Sequence, residues 1–236
     1  MAATGMYRKA GSEGLMAAGR TSKPEGEKNG TSRDPEGTKT AILAAATREF
    51  ADKGFGGARI DAIAAQAKIN KRMLYHYFGG KEDLYLAVLE ETYGGIRRAE
   101  AKLDLAHREP EDGMRELVQF TFHYFLDHPE FLSLLGTENL MKAKFLKRSE
   151  RVLAINSPLI DELRGVLERG ARKGVFRPGI DPLDVYLTMA ALGFFYLSNR
   201  WTLSTVFRRD LVAKREITRW GEYMTGVVLS SLRPAA

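Results

Sequence analysis

Lys71, Arg72, Tyr75, His76, Tyr77 and Lys81 fall within eleven positions of one another. Ammonium and guanidinium groups donate charge-assisted hydrogen bonds, and a phenol or imidazole adds a neutral donor beside them. Residues this close together sit on a helix of barely three turns, too short to bury much surface by itself. Its polar groups are therefore available for contact, and a polyanion is the partner they suit. Arginine and lysine match guanine O6 and N7, each good bidentate pair giving about 1–3 kcal/mol of discrimination. Lys81 stands where the next helix opens, and free backbone N–H groups at such an end favour an anion.

The elements that must position these groups are helical. Ile42, Leu43, Ala46 and Phe50 recur at helical spacing, and Gly54 ends that first helix. Ile60, Ile63, Ala64 and Ala67 mark a second, short helix. Asn70 is an N-cap for a third, in which Leu74 and Phe78 face inward at i, i+4. Two short helices joined by a tight turn make a helix-turn-helix, whose second helix lies in the major groove of DNA. Lys71, Arg72, Tyr75 and His76 are its outward positions, and Tyr77 at the edge suits a phosphate oxygen.

Three segments in order, ILAAATREFADKGF, IDAIAAQAKIN and LYHYFGGKEDL, are similar to the N-terminal domain of the tetracycline-repressor (TetR) family of bacterial regulators. The similarity runs from Thr38 to Leu89, about a fifth of the chain. It implies that Lys71, Arg72, Tyr75, His76, Tyr77 and Lys81 lie at the DNA surface with Arg59 flanking them. Family members usually carry Thr or Ser at the positions of Ala58 and Arg59, Gly at Lys68 and Ser at Asn70. Loss of a hydroxyl N-cap costs about 0.5–2 kcal/mol. A left-handed backbone at Lys68 costs about 1–2 kcal/mol.

The remainder also reads as all-α. A long helix is expected from Lys81 to about His107, then Glu111–His128 and Glu130–Lys147 with Pro129 between them. Ser157-Pro158 and Asp181-Pro182 both have the N-cap then N1-proline arrangement, which predicts helices from those points to about Gly174 and about Leu203. A last helix covers roughly Asp210–Leu232. Three parts follow: a disordered arm over 1–37, poor in bulky apolar residues; a helix-turn-helix domain over 38–85; and a helical effector-binding and dimerisation domain over 86–236.

The family resemblance implies dimerisation and ligand sensing. A symmetric dimer offers two recognition helices to a palindromic site. The last two helices are the expected dimer surface, with small residues Ala190, Ala191, Gly193, Gly221 and Gly226 and apolar Leu187, Phe194, Trp220, Val227 and Leu229. For the ligand, FTFHYF, LGTENLMKAKF and FFYLSNRW interleave aromatic with polar groups, as an apolar cleft with a few placed polar groups requires. Phe122, Phe125, Phe145 and Phe195 are the expected walls, and His123, Asn139, Tyr196 and Asn199 the polar contacts. The runs ENL, SPLI, GVFRPGIDP and FFYLSNRWTLS resemble regulators of pyrimidine or nicotinate catabolism, which implies a small planar or heteroaromatic, anionic effector.

Composition narrows the alternatives. There is no cysteine, hence no disulfide framework, thiolate metal site or thiol nucleophile, as fits a reducing cytosol. No run of 18 apolar residues predicts a membrane span, and the expected location is the cytoplasm. The net charge of +6 peaks in residues 38–85, with 8 basic and 5 acidic groups, whereas residues 86–236 carry 22 and 20. The four histidines show no metal-ligand spacing, and no P-loop, GxGxxG or GxSxG occurs. An enzyme, a metal and a cofactor are not expected. The reading is a sequence-specific DNA-binding regulator, a repressor that a small molecule releases from a palindromic operator; the alternative is a non-specific architectural DNA binder.

Overall fold

The structure, a computed structural model, describes residues 34–234, except the side chains of Asn156 and Ser157. Among the described residues all regular structure is helical. Most of the expected arm, 1–33, lies outside the described residues. Its last three positions do not extend it: Pro35–Gly37 form the first turn of α1 (Pro35–Gly57), because Asp34 accepts from the Glu36 N–H at 3.1 Å and Pro35 occupies N1. Gly54 breaks α1 internally at φ 64°, and one further turn follows it.

Helices α2 (Ile60–Gln66), α3 (Lys71–Phe78) and α4 (Lys81–Glu100) follow. The α2–α3 turn places Lys68 at φ 55°, a left-handed backbone carried without glycine. At α3 the expected cap is present, with the Asn70 carboxamide oxygen accepting from the Met73 N–H at 2.8 Å. The core of this unit is Ile42, Phe50, Ile63, Leu74, Leu84, Tyr85 and Leu89. Leu134 and Phe145, more than forty residues downstream, complete it, and the Phe145 ring packs on Tyr85 at 5.0 Å and Phe55 at 4.7 Å.

Helix α4 stops at Glu100 rather than His107. Asp104 takes φ 51° between two short 3₁₀ turns, Ala101–Leu103 and Leu105–His107. Then come α5 (Pro110–Asp127) and α6 (Pro129–Leu140). The expected continuation to Lys147 fails because Lys142 and Ala143 adopt φ 57° and 58°, which no α-helix accommodates. The buried Glu138 carboxylate instead accepts from the Phe145 and Leu146 N–H groups at 2.7 and 3.0 Å and folds the chain back.

Ser157-Pro158 does not open a helix. Helix α7 runs Glu150–Arg172 with Pro158 inside it, capped by the Ser149 hydroxyl, which accepts from the Val152 N–H at 3.1 Å. A Ser-Pro pair reads the same at a helix start and within one, and the upstream cap decides between them. Helix α8 (Pro182–Phe207) starts where Asp181-Pro182 predicts, and α9 (Lys214–Leu232) closes the chain. The second core forms around α5, with Met114, Leu117, Val118, Phe122 and Phe125 set against α7, α8 and α9.

Candidate DNA-reading face and effector cavity

The recognition face follows from the way α3 is held. Leu74 and Phe78 anchor it in the core, so Lys71, Arg72, Tyr75 and His76 are turned outward and exposed, and Tyr77 is half-buried at the edge. Lys71 is not free: its ammonium lies 3.0 Å from Asp61 on α2, and that hydrogen bond holds its pKa above the usual lysine value. Lys81 leans over the Phe55 ring at 4.9 Å and reaches the Gly56 carbonyl at 3.5 Å. Arg59 is exposed at the start of α2, as its N-cap residue.

Helix α2 has no side-chain cap bond where a hydroxyl is absent at 58 and 59, and a carboxylate of α1 engages the N-cap residue's own backbone N–H. Glu49, 3% exposed, accepts from the Arg59 N–H at 3.1 Å, from Lys53 at 2.9 Å and from Gln66 at 3.4 Å. These donors, Lys53 first, hold its carboxyl below the usual carboxylate range. One buried carboxylate thus ties α1 to both ends of α2.

The second domain contains a cavity of about 810 Å³. Tyr93 and Arg97 from α4, Phe131, Leu135 and Asn139 from α6, and Tyr186, Leu187 and Phe194 from α8 line it, with Phe125 from α5. Leu153, Leu183 and Leu187 are exposed at its rim, as is Lys147. Burial pushes the Tyr93 phenol up to about 12, so it stays protonated and able to donate. Arg97 is 9% exposed; it donates to the Tyr186 hydroxyl at 3.2 Å and lies 2.8 Å from Glu100.

Of the residues expected to line a pocket, Phe125 and Asn139 border this cavity. The other six lie elsewhere. Phe122 is core, packed against Gly221, where a Cβ would come within 3.1 Å of its ring. Phe145 belongs to the N-terminal core. Tyr196 stacks on Trp220 at 4.9 Å and donates to the Leu211 carbonyl at 2.7 Å. His123 bonds the Gln119 carbonyl on an exposed face, Asn199 donates to the Phe195 carbonyl, and Phe195 is 59% exposed. Leu187, Ala190, Ala191 and Phe194, expected at the dimer surface, border the cavity. Helix α8 is apolar all round, so its period does not say which face turns inward, and one residue of error is about 100°.

Arg97 and Tyr93 line the cavity without being among the residues expected there from sequence. A signal for them existed: Leu89, Tyr93, Ile96, Arg97 and Glu100 recur at i, i+4, i+7, i+8 and i+11. That spacing puts a charged pair on the apolar face of α4.

Among the described residues no cluster of side chains suits a metal ion, and no helix is long and apolar enough to cross a membrane. The fold and the exposed face of α3 define a helix-turn-helix regulator joined to a helical domain with a large apolar cavity. Residues 42–88 match the family model described as bacterial regulatory proteins, tetR family, and residues 110–228 match the tetracyclin repressor-like C-terminal domain. The HTH-type transcriptional repressor NicS of Pseudomonas putida is 41% identical over 196 residues, covering 83% of this chain and 92% of NicS. The HTH-type transcriptional regulator RutR of Escherichia coli K12 is 32% identical over 203 residues, 86% of this chain and 94% of RutR. A putative transcriptional regulator of Streptomyces coelicolor, SCO4942, superposes with a TM-score of 0.63 at 26% identity, over 84% of this chain and 99% of its own. The chain belongs to the TetR family of bacterial transcriptional regulators.

Proposed function

We propose that the chain is a homodimeric repressor that reads a palindromic operator through α3 and is released by a small molecule bound in the cavity. Arg72, Tyr75, His76 and Lys71 reach base edges, while Arg59, Tyr77 and Lys81 hold phosphates and fix the register. It works in the cytoplasm, on the chromosome, and catalyses no reaction.

The observation that carries the coupling is the position of α6. Leu134 is buried in the core of the DNA-reading unit, while Leu135 and Asn139 face the cavity. Helix α4 has the same double role, with Leu84 and Leu89 in that core and Tyr93 and Arg97 on the cavity. A ligand that displaces either wall moves the elements that seat α3. Lys144 and Arg148 tighten the link through ion pairs with Glu82 and Asp83 at the start of α4. Differential binding of the ligand to the two arrangements is then the whole of the regulation.

Dimerisation is supported by what α8 and α9 leave exposed. Phe195, Trp201, Val206 and Phe207 on α8 and Tyr223 on α9 are each more than half exposed. Apolar groups of this size on adjacent helices mark an interaction surface. Gly226 is exposed with them and permits close approach.

Selection of bound DNA from a random pool tests the reading. A recovered palindrome, with half-sites about one helical turn apart, is expected. Equal recovery of every duplex would make the chain a non-specific architectural binder instead.

A further inference from the structure

The cavity wall is apolar apart from a few groups, and one of these is a buried guanidinium. Arg97 faces the cavity, whereas its counter-ion Glu100 is not part of the lining and stands behind it. Nη2 of Arg97 donates to the Tyr186 hydroxyl on the cavity wall, while Nη1 lies 2.8 Å from Glu100 without a hydrogen bond. Among the described residues Nε and Nη1 have no acceptor, and both are enclosed by protein. A buried guanidinium in the wall of an apolar cavity, its counter-ion outside that wall, suits a planar acceptor such as a carboxylate.

We infer that the ligand is a monocarboxylate with an apolar body larger than a single ring, its carboxylate on Arg97 and its body along Phe131, Leu135, Leu187 and Phe194. The inference rests on the reading of the cavity as an effector site. Size sets the body: a space of about 810 Å³ matches a drug-sized ligand, and one six-membered ring leaves most of the wall uncovered. Charge sets the head. With Glu100 adjacent, the buried end offers at most one net positive charge, enough for a carboxylate and too little for a dianionic phosphate. The apolar lining disfavours a sugar or a peptide, whose hydroxyl or amide groups would lose water without gaining partners.

Glu100 also sets when the head binds well. Burial pushes its carboxyl up to about 7, against Arg97 on α4 and with Glu162 of α7 raising it further. Tyr93 and Arg98 of α4, Tyr124 of α5 and Tyr186 of α8 are the other titratable or charged groups around the pair. A ligand carboxylate raises Glu100 again, so binding takes up a proton. Affinity therefore falls as pH rises through 7.

The probes are 2-naphthoate and 2-naphthamide, alike in shape and differing in charge, with calorimetry at pH 6 and 8. The wild-type chain should bind naphthoate about tenfold or more tighter than the amide at pH 6, with the preference shrinking at pH 8. The double variant Arg97→Gln/Glu100→Gln removes both charges together and leaves no uncompensated buried ion. It should lose the preference and the pH dependence while still binding the amide. Equal binding of both probes by the wild type, no binding of either at millimolar concentration, or a preference that survives in the double variant would each overturn the inference. If the double variant lacks a cooperative thermal melt, the wild-type comparison decides alone. Release from selected DNA is followed in parallel. Naphthoate that binds through Arg97 without weakening DNA binding upholds this site and sinks the effector reading. Release by the amide as readily as by naphthoate does the reverse.

Discussion

The side chains proposed to meet DNA have unequal freedom. Arg72 and Tyr75 project from α3 into solvent, whereas Lys71 is already shared with Asp61 and Lys81 leans on Phe55. A base contact and a phosphate contact also fail differently when removed. Arg72→Ala or Tyr75→Ala is expected to cost about 1–3 kcal/mol of binding to the selected site and to relax the choice of base at one position. Lys81→Ala should weaken every duplex alike and lower the salt slope by about 1. Fluorescence anisotropy over a salt series, with matched and single-mismatch duplexes, separates the two. A uniform loss on Arg72→Ala would reassign that side chain to the backbone. Asp61→Asn frees Lys71 and should modestly raise affinity for all DNA. The outward set was legible because Leu74 and Phe78 fix the inward face at i, i+4. The Asp61 contact was not, since it crosses between helices set by the turn.

At the scale of elements, the α1–α2–α3 arrangement rests on one buried carboxylate and one strained turn. Glu49→Ala removes the acceptor of the Arg59 N–H, Lys53 and Gln66, and should cost about 1–3 kcal/mol of stability by denaturant melts. Its folded pKa is depressed, so its contribution is present above the unfolded carboxylate value near 4.5 and is lost as pH falls through the folded value. An acid titration of stability should therefore be shallower in Glu49→Gln than in the wild type; identical slopes would show that the carboxylate adds nothing. Lys68 stands at φ 55°, where glycine has no Cβ penalty. Lys68→Gly should raise stability by up to about 1 kcal/mol, less what the unfolded chain gains in entropy. A lower melting temperature would mean that the Lys68 side chain stabilises the turn. The missing hydroxyl at 58 was plain from sequence; the bond of Glu49 to the Arg59 N–H depended on α1 lying across α2.

For the whole molecule the question is which apolar faces serve which purpose. Phe195 and Tyr223 stand outward on α8 and α9, while Leu187 and Phe194, on the same helix as Phe195, border the cavity. Phe195→Asp combined with Tyr223→Asp should leave a folded monomer by sedimentation, with an unchanged helical spectrum. That monomer should bind a palindrome no better than a single half-site. A variant that still sediments as a dimer would place the interface elsewhere. Coupling between cavity and DNA is also a property at this scale. On the proposed mechanism its route is α4 and α6, each of which has one face in the N-terminal core and another on the cavity wall.

Sequence by itself determined the helical class, the family, the recognition helix and its outward residues. Those rest on local periodicity and on caps such as Asn70 and Asp181, which act within a few residues. Tertiary structure alone decided the rest: that Phe145 belongs to the DNA-reading core, that Phe195 faces out and Phe194 in, and that α7 runs through Pro158. It also decided that Arg97 is a buried cation on the cavity wall. The apolar stretches of α8 and the turn after α6 satisfy the same composition in several orientations, so the choice among them falls to long-range packing against α4, α5 and α7.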